Sequence, residues 1–156
     1  MTTDEPDKTP IVGRAAIGAA CAIFDADGRA LLVHHTYGRL NWELPGGLLL
    51  PNEAPNETAL REVLEETGLQ AELERLTGVY FEPDHMFGPM LHFVFRARVS
   101  AAVAPTASSP EVSEVGFWRL DALPVPISDF TERRLRDASS DVAAVVSRVG
   151  VRRWRE

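Results

Sequence analysis

The stretch GGLLLPNEAPNETALREVLEETGL, residues 46–69, decides the reading of this chain. It places a double glycine and a proline-containing loop directly before a run with helical periodicity. Advancing 100° per residue from Glu62 puts Glu65 at about −60°, Glu66 at about +40° and Arg61 at about −100°. Leu60, Val63, Leu64 and Thr67 fall between about 100° and 200°, so the helix is expected to carry a packing face opposite a carboxylate face. Pro55 suits its first turn and Gly68 its C-cap. Like charges at i,i+3 and i,i+4 repel by a few tenths of a kcal/mol per pair, and their place in the last turns sets them against the helix dipole. A divalent cation would offset this, since Mg²⁺ and Mn²⁺ favour clustered carboxylate oxygens. A solvated helix face with Glu57 and Glu65 pairing Arg61 at i±4 is the plainer alternative.

The rest of the chain sets bounds on that choice. Its 156 residues, 45% apolar and 25% charged, make one ordinary domain able to bury a core. A formal charge of −7 and a pI of about 5.1 disfavour nucleic-acid backbones and anionic membranes as partners. A small anionic nucleotide can still bind where metal ions or local positive charge reverse the field. Lys8 is the only lysine, so arginine carries nearly all the cationic charge. The single Cys21, within an apolar run, cannot form an internal disulfide and suits a small core position, which fits a reducing, cytoplasmic setting. No apolar run is long enough to span a membrane, and the polar N-terminus does not read as a signal. A homodimer is compatible with these properties.

Residues 1–10 are expected to be a disordered tail, residues 11–150 a single domain and residues 151–156 a C-terminal tail. Apolar residues up to Phe24, the turn DADG at 25–28 and ALLVHH beyond it predict a β-hairpin. NWELP reads as a third short strand running into Gly46 and Gly47. Further strands are expected around residues 71–81, 90–99 and 114–120, with a closing helical region from about Ser128 to Val149. Strands interleaved with helices imply an α/β sheet covered on both faces.

Gly47, Glu53, Arg61, Glu62, Val63, Glu65, Glu66, Gly68 and Leu69 occupy, at their spacings, every fixed position of the Nudix box. The chain therefore resembles the Nudix hydrolase family. The resemblance implies an α/β/α sandwich with a mixed sheet and metal-dependent hydrolysis of a nucleoside diphosphate linked to another group. It implies that Glu65 and Glu66 are metal ligands, that the Gly46 carbonyl adds another, and that Arg61 orients Glu62 through a salt bridge. Glu62 matches a position that serves as general base or further ligand, and Glu53 a water-mediated metal contact. A loop glutamate beyond the box is also expected, with Glu111 preferred over Glu114. A non-catalytic nucleotide-binding sensor with the same fold is the alternative.

For substrate contacts, Tyr37, Trp42, Tyr80, Phe81 and His85 offer rings that could stack on a base or pack in the core. Asp129 could accept from a base edge or, with Glu132 three residues on, cap the last helix. His34 and His35 alternate on one strand and cannot form a joint metal site, and His92 is expected to bond a neighbour. Pro83 lies fourteen residues beyond Leu69, close to a proline that marks ADP-ribose-specific branches of the family. This favours ADP-ribose or a nucleotide sugar, with nucleoside triphosphates next. Asn52 and Leu50 depart from the usual loop pattern and bear on substrate preference.

Overall fold

The computed structural model describes residues 14–100 and 102–156, so the expected N-terminal tail lies outside the described residues. Ten strands and two helices follow in order: β1 (Ala16–Ile23), β2 (Ala30–His35), β3 (Trp42–Glu43), β4 (Gly46–Leu48), α1 (Pro55–Thr67), β5 (Ala71–Glu82), β6 (Met90–Val99), β7 (Val112–Trp118), β8 (Ile127–Ser128), α2 (Asp129–Ser139), β9 (Val145–Arg148) and β10 (Trp154–Arg155). They form two five-stranded mixed sheets, ordered β4-β1-β6-β5-β9 and β10-β8-β3-β2-β7.

Alternation along β1 and β2 divides the core in two. Ala19, Cys21, Ile23 and Leu31 pack under α1 with Ala59 and Val63. Ala20, Ala22, Ala30 and Leu32 face the other way, into a cluster with Tyr80, Val94, Phe130 and Leu135 that α2 covers. This is the α/β sandwich expected from the sequence, with a helix on each side. Among the described residues no helix is long and apolar enough to cross a membrane.

Several local expectations change. The DADG turn forms, with Asp25 accepting from the Asp27 and Arg29 N–H groups and Gly28 at φ 75°, but β1 and β2 join different sheets and the β-pairing between them is reduced to the Phe24–Ala30 bridge. Local turn chemistry fixed the turn; β1 pairs instead with β4 and with the parallel strand β6, far along the chain. NWELP splits into β3, in one sheet, and an approach to β4 in the other. The final helix stops at Ser139, and the chain returns as β9, parallel to β5. The expected C-terminal tail instead contains β10, which pairs with β8.

Candidate active site

Helix α1 begins at Pro55, with Glu57 accepting from the Ala54 N–H, and closes at Gly68, whose φ of 71° is the left-handed conformation glycine adopts without strain. Glu57 therefore caps the helix rather than pairing Arg61. The buried face runs through Ala59, Val63, Glu66 and Thr67, while Leu64 is exposed. The helix thus turns Glu66 inward, against β4, rather than out to solvent.

Arg61 organises the carboxylates. Its Nε donates to Glu53 Oε1 at 2.7 Å, its Nη1 to Glu62 Oε1 at 2.7 Å and to Glu65 Oε2 at 3.1 Å, and its Nη2 to the Leu48 carbonyl at 3.2 Å. Glu53 also accepts from Thr58 Oγ1 and the Leu50 N–H, and Arg61 first, then these two donors, hold its carboxyl down at about 2. Glu53 anchors Arg61 in this arrangement. Glu66, 2% exposed, accepts from the Gly46 N–H at 3.0 Å. Burial, and then the charges of Glu62, Glu111 and Glu43, push its carboxyl up to about 8 despite that bond. Burial also raises Glu62 against the lowering effect of Arg61.

The double glycine is a requirement of close approach. A Cβ on Gly47 would lie 2.4 Å from Glu62 Oε1, and one on Gly46 would lie 2.5 Å from the Ala19 carbonyl oxygen. Only glycines let β4 lie this close to α1 and β1. Glu111 precedes β7, where its carbonyl accepts from the Thr36 N–H at 2.9 Å, and its charge acts on Glu62 and Glu66. Gly46, Glu62, Glu65, Glu66 and Glu111 therefore gather around one end of α1. Among the described residues, no three acidic, histidine or cysteine side chains are already arranged as a cation cage.

The expected substrate residues separate. Tyr37, half exposed, stacks on His35 with centroids 4.6 Å apart, and burial plus the charges of Glu66, Glu111, Glu43 and Glu62 raise its phenol to about 12. It stands beside the acidic group. Trp42 and Tyr80 are core residues: Trp42 packs against Trp118, and Tyr80 is fully buried with its hydroxyl donating to Asp137. Neither has a ring face free to stack on a base. Phe81 lies under the Arg148 guanidinium, and His85 sits in the β5–β6 connection with its ring 5.9 Å from that of His92. Asp129 accepts from the Arg153 backbone and side chain, while Ser128 caps α2 by accepting from the Thr131 N–H. Asp129 thus neither caps the helix nor presents a free carboxylate.

Sequence reasoning passed over a second polar group next to this one. Glu43, partly buried, accepts from the buried Arg134 at 2.6 Å and from the buried Thr131 hydroxyl. Glu82 is bound bidentately by Arg152 and by His92. These residues are scattered between positions 43 and 152, so no local spacing marks them.

The NUDIX domain family matches this chain over residues 14–138. A MutT-like protein from Streptomyces ambofaciens is 33% identical over 79% of this chain and 76% of its own length. A putative 8-oxo-dGTP diphosphatase from Bacillus subtilis (strain 168) is 31% identical over 86% of this chain and 89% of its own. The crystal structure of a NUDIX hydrolase from Nitrosomonas europaea superposes with a TM-score of 0.74 at 20% identity, covering 88% of this chain and 80% of that one.

Proposed function

The chain belongs to the NUDIX domain family of hydrolases, and on that premise we propose that it is a divalent-metal-dependent pyrophosphohydrolase acting on a nucleoside diphosphate linked to another group. The observation that carries this reading is the burial of Glu66 beside Glu62 and β4, where a backbone N–H is its only described hydrogen-bond donor. A carboxylate so placed costs stability that a packed apolar side chain would not, and binding a cation gives it a use.

The donor set fits Mg²⁺ or Mn²⁺: Glu62, Glu65, Glu66 and Glu111 supply hard carboxylate oxygens and Gly46 a carbonyl. When bound, the ion would neutralise the diphosphate and make phosphorus electrophilic. Arg61, itself fixed by Glu53, orients Glu62 through the 2.7 Å bond. Glu62, raised by burial, or Glu111 takes the proton from the attacking water. To the organic part of the substrate we assign Tyr37, beside the acidic group, and His85 in the β5–β6 connection.

ADP-ribose or a nucleotide sugar is our preferred substrate class, from the position of Pro83 in the β5–β6 connection. We rank nucleoside triphosphates next, an order supported by the name of the Bacillus subtilis relative, a putative 8-oxo-dGTP diphosphatase. The test is a panel of ADP-ribose, UDP-sugars and nucleoside triphosphates with Mg²⁺ or Mn²⁺, run beside Glu65→Gln. We expect turnover of one class, lost by about 10²-fold or more in the variant. Binding of nucleotides without turnover under any metal would favour the sensor alternative.

A further inference from the structure

The Glu82, His92 and Arg152 group lies outside the glutamate cluster, and its geometry is that of an oriented acceptor. Arg152 donates Nε to Glu82 Oε1 at 2.8 Å and Nη2 to Oε2 at 2.6 Å, while His92 Nε2 lies 2.7 Å from Oε2. Glu82 and His92 are only 7% and 8% exposed. Replacing such an ion pair with packed apolar residues is often neutral or stabilising, so stability alone does not account for it. What the group does is fix a ring. The His92 ring is set edge-on to Phe130 at 5.2 Å and to His85 at 5.9 Å, and the Arg152 guanidinium lies 5.0 Å from the Phe130 ring centroid.

Hydrogen bonds and charge from His92 and Arg152 hold Glu82 at about 2 against the opposing effect of burial, and burial lowers the imidazole. An ionised Glu82 accepts from Nε2–H, which leaves Nδ1 as the lone-pair acceptor of a neutral ring. No described residue bonds Nδ1. An acceptor-only nitrogen beside an ionised carboxylate would repel phosphate and bind a neutral donor.

Its distance from the candidate site selects the donor. Leu48 on β4, Gly18 on β1 and His92 on β6 are register partners in one row across the sheet. Two strand spacings separate β4 from β6, about 9.6 Å. Gly18 has no side chain of its own there, and the flexible Met90 side chain covers it. A diphosphate held against β4 would have its nucleoside sugar within reach of β6 once that side chain turns aside.

We propose that His92, oriented by Glu82 and Arg152, is a specificity-determining residue whose Nδ1 accepts a hydrogen bond from a sugar hydroxyl of the substrate's nucleoside; this rests on the hydrolase reading above for the substrate class. The experiment measures binding and hydrolysis of ADP-ribose and of its 2′,3′-dideoxyadenosine counterpart by wild type, His92→Phe and Glu82→Gln. Wild type should favour ADP-ribose by about tenfold, the worth of one well-formed hydrogen bond. His92→Phe should bring ADP-ribose down to the dideoxy level, mainly through KM, and leave the dideoxy compound unchanged; Glu82→Gln should fall between. On AMP binding, the His92 Nδ1 resonance in ¹⁵N NMR should shift. A wild-type preference below threefold overturns the proposal without need of any variant. So does an equal loss on both compounds in His92→Phe. Discrimination in binding without hydrolysis would sink the hydrolase reading and leave His92 in place, whereas binding of neither compound would overturn both.

Discussion

Glu66 is where charge, burial and function meet. Its carboxyl titrates at about 8 in the fold and near the ordinary 4.5 when unfolded, so the native state holds the proton more tightly. Its contribution is therefore favourable below about pH 4.5, declines as pH rises toward 8, and is a full penalty above that. Glu66→Gln should raise Tm in chelator at pH 8.5, by about 2–4 °C for each kcal/mol of relieved strain, and change it little at pH 4.5. The same variant should lose about 10²-fold or more in turnover. A melting curve that does not respond to the substitution at pH 8.5 would show that Glu66 is not strained. The box residues were readable from sequence because their chemistry is local: a proline at the start, a glycine in the left-handed cap and carboxylates at helical spacing. The inward turn of Glu66 was not, since the wheel placed it with Glu62 and only packing against Gly46 shows it buried.

Among the elements, the C-terminal segment departs most from expectation. Residues read as a tail supply β10, and Arg152 just before it reaches Glu82 at the end of β5. Trp154 also carries the Arg39 guanidinium 4.7 Å from its ring centroid, next to the turn that bears Tyr37. Nothing in the sequence of this segment announces a partner 70 residues away, and the same is true of β1, whose parallel neighbour β6 displaced the expected hairpin. Turn chemistry and periodicity are local, whereas strand partners are chosen by the whole core. Arg152→Met leaves the Glu82 carboxylate buried with only His92 beside it, a loss of about 3 kcal/mol, the low end for a broken buried pair because Arg152 is partly exposed. Glu82 is depressed to about 2 in the fold, so its favourable contribution is present above pH 4.5 and is lost as pH falls toward 2. The variant should accordingly melt lower than wild type at pH 7, with the gap narrowing toward pH 2.5. Equal melting temperatures at pH 7 would remove the segment's stabilising role.

Across the whole molecule, two mixed sheets and a helix on either side bring one strongly acidic helix against a glycine strand, within a chain whose net charge is already −7. The layered class was legible because helical and strand periods alternate along the chain. The division into two sheets was not, because β2 and β3 are too short to declare which neighbour they pair with. Under the proposed function, that architecture is a platform that attracts cations and, through them, a diphosphate. The most direct measurement of this claim is hydrolysis of ADP-ribose in ¹⁸O-labelled water with Mg²⁺, followed by ³¹P NMR and mass spectrometry of the products. The account predicts AMP and ribose 5-phosphate, with one ¹⁸O on a phosphate of one product, and no reaction in chelator. Label on a sugar carbon, release of free adenine, or undiminished turnover in chelator would contradict it.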